Sequence, residues 1–192
     1  LAAQRLEALN DRQRALDARA IVSIADAEGN ILSANPRFCE ISGYAARELL
    51  GRNHRIIKSD VHPAGFYETM WATLLRGQVW EGELCNRAKS GRLYWVKSTI
   101  VPFLDEAGRP YQYIAIRTDI TQRKQVELAL ATSEARYRSL VDHMPAIAFL
   151  SSLDGVNTLY VSPQVESVLG YPPSHFTENP LAWRERLHPE DR

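Results

Sequence analysis

Cysteine is scarce in this sequence, and long apolar runs are absent. Its 192 residues include two cysteines, Cys39 and Cys85, and neither lies in a CxxC or metal-ligand spacing. A disulfide scaffold is therefore excluded, and we expect inert thiols in a reducing, cytoplasmic setting. No apolar run approaches the ~20 residues that span a bilayer, and nothing is typical of a signal peptide. We expect no membrane contact by this stretch of chain.

Charge of one sign is also lacking. The 23 basic and 23 acidic side chains cancel, and no block of five like charges occurs. This excludes the charge footprint of a nucleic-acid partner. No nucleophile-base pair, metal-ligand spacing or phosphate loop is present, so we expect no catalytic site within the chain. The sequence starts at Leu1 and not at Met. We therefore expect a piece of a longer protein whose enzymatic output lies elsewhere.

Two stretches without Gly or Pro predict helices. The first, rich in Ala, Leu, Arg and Gln, predicts an N-terminal amphipathic helix over residues 1–20. The second predicts a connector helix over residues 121–142, with a seam of apolar residues at alternating steps of four and three. Either seam could be an ordinary packing stripe. In tandem modules, however, we expect both helices to hold a homodimer together.

Short elements follow the first helix. Two runs, residues 21–24 and 31–34, predict strands joined by a turn. Asn35 suits a helix N-cap, Pro36 suits the first helical position, and Gly43 suits the left-handed end of that helix. A longer helix carrying Phe66, Met70, Trp71 and Leu74 is predicted to open at Pro63 and to close at Gly77.

Residues 80–102 form the most informative stretch and predict a β-hairpin. Trp80, Gly82, Leu84 and Asn86 share one face of the first strand by the period-two rule, and Ser90-Gly91 suits the turn. That face is apolar except for the amide of Asn86, which needs a hydrogen-bond partner. A bound planar heterocycle could supply it.

A last strand over residues 111–119 completes five predicted strands, with the helices grouped between the second and third. This order predicts an α+β fold in which an antiparallel sheet carries helices on one face above a concave pocket. Beyond the connector, residues 160–171 repeat the pattern of residues 33–44, with its Pro and its Gly-Tyr pair. A second copy of the module is therefore predicted over residues 137–192.

These patterns resemble two PAS domains arranged in tandem. The resemblance rests on the Asn35-Pro36 to Gly43-Tyr44 helix, the hairpin, and the exit from Arg117 through Thr121 into a signalling helix. It implies a PAS fold over residues 21–120, a connector helix over residues 121–142, and the N-terminal part of a second PAS domain over residues 137–192.

A finer similarity is to the flavin-binding PAS domains of bacterial redox sensors, such as aerotaxis receptors, nitrogen-fixation flavoprotein sensors and methane monooxygenase sensor kinases. It implies non-covalent FAD, with FMN or no cofactor as alternatives. The cofactor-binding residues it implies are Asn35, His54, Arg55, Lys58, Trp71, Trp80 and Asn86. Asn86 would bond the polar edge of the ring, the tryptophans would line or stack on it, and the cations would lie near the mouth.

Three positions depart from the related blue-light class. The resemblance places His54 where the photoreactive cysteine would stand, Val96 where a second ring-binding asparagine would stand, and Arg117 at the reporting glutamine. We therefore expect a redox or oxygen signal and not a cysteinyl photoadduct. His62 as a haem ligand is disfavoured because it precedes the long helix.

Each site residue also has a simpler interpretation. The tryptophans could be core packing, Asn86 could pair across the sheet, and His54 could be a surface residue. At the level of the protein, the leading expectation is a sensor that acts through the connector on a histidine kinase or a diguanylate cyclase in the same chain. The rivals are a ligand-free PAS module for dimerisation and a receptor for a small molecule other than flavin.

Overall fold

The computed structural model describes residues 20–188 and 190 of the chain. Residues 1–19 of the helix predicted over residues 1–20 lie outside this part. The chain divides into two compact units, Leu1–Val126 and Glu127–Arg192.

The first unit is built on one five-stranded sheet. Its strands are β1 (Ile21–Asp26), β2 (Ile31–Ala34), β3 (Trp80–Arg87), β4 (Leu93–Leu104) and β5 (Pro110–Asp119). Its helices before the hairpin are α1 (Pro36–Ser42), α2 (Ala46–Leu49), a 3-10 turn (His54–Ile57) and α3 (Phe66–Leu75). The strand order is β2-β1-β5-β4-β3, and every described pairing is antiparallel. The predicted α+β architecture is confirmed.

Local chemistry explains the ends of the helices. Asn35 Oδ1 accepts a hydrogen bond from the Phe38 N–H at 3.0 Å, and Gly43 ends α1 with φ of 71°. Both caps match the sequence prediction. The predicted start of α3 at Pro63 is wrong, because Gly65 has φ of 83° and the helix can begin only after that left-handed residue.

The hairpin of β3 and β4 has the predicted form. Gly91, with φ of 87°, donates its N–H to Ala88 O at 2.9 Å, and Asn86 lies directly opposite Tyr94 in the paired strands. The burial of Cys85, on the other face, departs from the alternation. The preceding loop runs alongside β3 here, where Ser59 Oγ donates to Cys85 O at 2.6 Å and the Cys85 N–H donates to His62 Nε2 at 2.8 Å.

Helices and sheet enclose two apolar clusters. Phe38, Leu49 and Val96 are almost fully buried in one, and Leu74 and Tyr113 in the other. Each large apolar side chain that leaves water contributes about 1.5–3 kcal/mol. The inner face of the sheet therefore holds the short helices in place above it.

Strand β5 leads directly into α4 (Thr121–Asp142), as the sequence predicts. The Thr121 N–H donates to Asp119 Oδ1 at 2.9 Å, and Thr121 Oγ1 accepts from the Trp95 N–H at 3.0 Å. Glu83 of β3 pairs with Arg123 at 2.5 Å and with Lys124 at 2.6 Å. The first turn of α4 is thus fastened to β3 and β4.

In its described residues, the second unit contains the greater part of α4, followed by two strands and three short helices. They are β6 (Phe149–Ser151), β7 (Thr158–Val161), α5 (Gln164–Leu169), α6 (Pro173–Glu178) and α7 (Ala182–Arg186). Val165 and Phe176 are fully buried in its core, and Gly170 ends α5 with φ of 77°, as Gly43 ends α1. That this unit begins a second copy of the first stays a prediction.

Candidate functional site

A cavity of about 700 Å³ opens between the inner face of the sheet and the helices of the first unit. Its floor comes from β1, β3, β4 and β5, and its walls come from the 3-10 turn and α3. The size is typical of a site for a small organic ligand. The polar and charged groups of its lining include Ser23, Asn53, His54, Arg55, Lys58, Tyr67, Asn86, Tyr113 and Arg117.

Five of the seven predicted site residues line this cavity: His54, Arg55, Lys58, Trp71 and Asn86. They come from the 3-10 turn and the residue after it, from α3, and from β3. Lys58 also forms an isolated antiparallel bridge with Asn86, so the loop lies alongside β3 at the edge of the sheet.

Asn86 stands on the floor of the cavity. Its side chain is buried, and period-two alternation along β3 turns it to the same face as Leu84. Tyr94, its partner in the register, is also buried, and its hydroxyl has no hydrogen-bond partner. Burial raises the pKa of Tyr94 to about 12. Tyr94 lies behind the floor, because it is not among the residues that line the cavity.

Trp71 supplies an aromatic wall on α3. Its ring packs edge-on against Tyr113, with the centroids 5.4 Å apart. A side chain at Gly29 would come within 3.1 Å of the indole, so this glycine leaves room for the ring. The buried hydroxyls of Tyr67 and Tyr113 have no hydrogen-bond partner. The wall thus offers flat apolar surface together with tyrosine hydroxyls that no protein group satisfies.

Trp80 and Asn35 are placed elsewhere. Trp80 folds back on its own strand, because a Cβ at Gly82 would lie 2.5 Å from the indole, and its ring contacts Phe66 edge-on. Asn35 bonds the backbone with both ends of its amide, accepting from the Val22 and Phe38 N–H groups and donating to Ala20 O at 2.8 Å. Trp80 is therefore a packing residue and Asn35 is a helix cap, and neither residue lines the cavity.

The cavity also contains a chain of hydrogen bonds. Arg117 Nη1 donates to Ser23 Oγ at 2.8 Å, and Ser23 Oγ lies 3.2 Å from His54 Nε2. The guanidinium can only donate, so Ser23 Oγ accepts from Arg117, and its own hydrogen is free to be donated to the imidazole. This donation requires a neutral His54 with its hydrogen on Nδ1. Burial and, to a smaller extent, the charge of Arg117 together lower the pKa of His54 to about 3.

Arg117 itself was not among the predicted ligand residues. It is only 5% exposed, and burial lowers its pKa to about 10, so it stays charged at neutral pH. The sequence did contain a signal for it. Tyr113, Ala115 and Arg117 alternate along β5, so a charged residue occupies an inward position.

The thiols lie away from the cavity. Neither Cys39 nor Cys85 is among its lining residues, and burial raises the pKa of both. Within the part of the chain that the structure describes, no group of three His, Cys, Asp or Glu side chains could hold a metal ion. Among the same residues, no helix combines the length and the apolar character needed to cross a membrane.

Comparison with known families and proteins gives consistent results. The family model for the PAS fold matches residues 31–117 and 158–192. Over 125 residues the chain is 37% identical to a nitrogen fixation regulatory protein of Klebsiella pneumoniae, covering 65% of this chain and 25% of that protein. Over 124 residues it is 34% identical to the aerotaxis receptor of Escherichia coli, covering 65% of this chain and 23% of the receptor.

The fold has counterparts among solved structures. A light-oxygen-voltage domain studied with a flavin analogue superimposes with a TM-score of 0.52 at 25% identity, covering 64% of this chain and 93% of that domain's chain. The chain spans about a quarter of the length of the curated relatives described above. The matched stretches therefore correspond to a module of larger signalling proteins.

Proposed function

The chain belongs to the PAS-fold family, and on that premise we propose that its first domain, residues 21–120, binds FAD non-covalently and senses redox state or oxygen. One observation carries the proposal: the mostly apolar cavity of about 700 Å³ is lined by Asn86, by Arg117 and by two tyrosines whose hydroxyls have no protein partner. Similarity to a nitrogen fixation regulatory protein, to an aerotaxis receptor and to a domain studied with a flavin analogue supports it.

The residues of the cavity fit a flavin in three ways. Trp71 and Tyr113 offer flat apolar surface to a planar ring, and Asn86 offers both a donor and an acceptor to its polar edge. Arg55 and Lys58 are exposed at the lining and can bind the phosphates of a dinucleotide. Bound flavin would supply reversible two-electron redox chemistry with a proton gained at N5.

The signal would pass from Asn86 to the connector helix. Asn86 can donate through its amide nitrogen or accept through its oxygen, so a change at the facing ring atom makes it rotate or lose a bond. Three residues earlier on the same strand, Glu83 holds Arg123 and Lys124 of α4. A shift of β3 would therefore move the start of the helix. A coupling of about 1–3 kcal/mol is enough to change a balanced equilibrium several-fold.

The output of the sensor would lie in the same protein, outside this chain. We place there a histidine kinase or, as an alternative, a diguanylate cyclase, and we place the module in the cytoplasm as a homodimer. Val126, Leu130, Tyr137 and Leu140 of α4 are all exposed, which supports dimerisation through this helix.

That same stripe favours a second candidate function, a ligand-free PAS module for dimerisation. The colour of the purified protein distinguishes the two candidate functions. The flavin proposal requires the purified protein to be yellow, with absorption that bleaches on dithionite and returns in air. Mass spectrometry of the heat-released ligand distinguishes FAD, FMN and any other small molecule. A colourless protein that stays without ligand after FAD is added contradicts the proposal and leaves the dimerisation module.

A further inference from the structure

One lining residue of the cavity is a buried cation without a counter-charge. Arg117 is 5% exposed, and in the described part of the chain no carboxylate lies within ion-pair distance of it. Its Nη1 bonds Ser23, its Cζ lies 5.6 Å from the centre of the Phe38 ring, and its buried Nε has no partner. A charged group so placed is rare in proteins, because burial of an ion costs several kcal/mol unless it is paired.

The sheet provides room for this side chain. In the register, Arg117 lies between Ile21 of β1 and Ser98 of β4, and Ser98 in turn lies opposite Gly82 of β3. Ser98 adds only a small side chain beside Arg117, while the Trp80 indole covers Gly82. Arg117 is itself a lining residue, so a ligand in the cavity lies next to its side chain.

The titratable groups close to Arg117 cannot neutralise it. His54 is uncharged at neutral pH, and the phenol of Tyr94 keeps its proton. The two carboxylates in the lining, Glu28 and Glu68, are both exposed. The missing negative charge must come from what the cavity binds.

We propose that Arg117 is an anion-binding residue of the cavity and that it holds the reduced flavin as its anion. This inference rests on the proposed function. Two electrons from a low-potential donor and one proton from solvent convert the oxidised ring into the hydroquinone anion, and no second proton is taken up. Arg117 favours the more negative state, because an opposite charge at close range in a buried site stabilises the charged form. The site thus binds reduced flavin more tightly than oxidised flavin.

The test compares long side chains with and without a positive charge at position 117. Arg117→Met removes it, Arg117→Lys retains it, and Lys97→Met removes an exposed cation from the other face of β4 as the control. In the flavin-loaded protein, we expect Arg117→Met to lower the midpoint potential by at least a tenfold change in the equilibrium, about 30 mV for two electrons. Arg117→Lys should keep most of the effect, and Lys97→Met should leave the potential unchanged.

Two further measurements separate charge from structure. The wild-type potential should fall by about 30 mV per pH unit near neutral pH, as one proton for two electrons requires, and the slope should steepen in Arg117→Met. The ligand-free Arg117→Met protein should unfold at the same or a higher temperature than the wild type, since replacing a buried charge by an apolar side chain of similar volume is neutral or stabilising.

The outcomes are distinguishable. A yellow Arg117→Met protein with unchanged potential and slope overturns the inference and leaves the proposed function intact. Loss of flavin from Arg117→Met with retention by Arg117→Lys supports the inference, and loss from both variants assigns Arg117 a structural role. A wild-type protein that takes up no flavin overturns the proposed function together with the inference.

Discussion

At the scale of single residues, the cavity is defined by groups whose ordinary chemistry is altered by burial. His54, Ser23 and Arg117 form one hydrogen-bonded chain in which the imidazole must be neutral for Ser23 to donate to it. Asn86 is a further polar group on the floor, and the buried Tyr94 lies opposite it in the strand register. The hydrogen-bonded chain and Asn86 are suited to binding a ligand and responding to its charge.

Replacement of His54 should remove part of the acid sensitivity of the domain. The folded-state pKa of about 3 lies below the ordinary value of 6.5, so the unfolded state binds more protons between these values. The stabilisation is complete above pH 6.5 and is lost as the pH falls toward 3. Between pH 7.5 and 5 this amounts to about 2 kcal/mol.

We therefore expect urea unfolding of His54→Gln to lose about 2 kcal/mol less than the wild type over that interval. Carboxylates titrate at lower pH, so they contribute little to the change in stability over this interval. The exposed His143 provides the control, because His143→Gln should retain the full wild-type pH dependence. Equal pH dependence in His54→Gln and the wild type contradicts a neutral, buried His54.

At the scale of elements, the hairpin of β3 and β4 links the cavity to the connector. Its inner face carries Asn86, and its outer face carries Glu83, which holds the first turn of α4. On the same strand the Trp80 indole lies over Gly82. The position of the indole therefore depends on the absence of a side chain at that glycine. A small shift of this hairpin therefore changes contacts on both faces of the sheet.

Gly82→Ala should displace Trp80 and destabilise the domain. The added methyl group would lie 2.5 Å from the indole, so the ring must move, and overpacking of this kind costs about 1–3 kcal/mol. We expect a shift in tryptophan emission and a lower midpoint of urea unfolding. The companion experiment repeats the change in a Trp80→Leu background, where the penalty should largely disappear. A penalty that stays the same in both backgrounds would mean that the indole does not lie over Gly82.

At the scale of the whole molecule, a PAS module is joined through one helix to a second compact unit. The helix α4 carries exposed apolar side chains along one seam, with Val126, Leu130, Tyr137 and Leu140 each more than half exposed. A stripe of this kind on a long helix is typical of a coiled-coil partner surface. The module would then report the state of its cavity as a change in pairing between two copies.

Sedimentation of two leucine variants tests this dimer. Leu130 lies in the seam and is 61% exposed, whereas Leu128 lies on the other side of α4 and is 69% exposed. We expect Leu130→Asp to shift the protein from dimer to monomer, because it places a charge in an apolar interface. Leu128→Asp should sediment like the wild type. A dimer that persists in Leu130→Asp would place the interface elsewhere.

The sequence alone was sufficient for features that depend on neighbours along the chain. The caps at Asn35 and Gly43, the turn at Gly91 and the inward direction of Asn86 follow from local backbone preferences and the period of a strand. Five of the seven site residues that the family resemblance implies also line the cavity, and of these Asn86 is the one whose direction follows from strand alternation.

Only the tertiary structure decided what long-range pairing brings together. Arg117 and Ser23 are 94 positions apart in sequence, and they meet because β5 pairs with β1. No local pattern specifies that Trp80 rests on Gly82, or that both ends of the Asn35 amide bond the backbone. Period and propensity assign a side chain to a face. The partner that it meets on that face is set by strand register and by the packing of the helices above, which together place a buried cation inside the cavity.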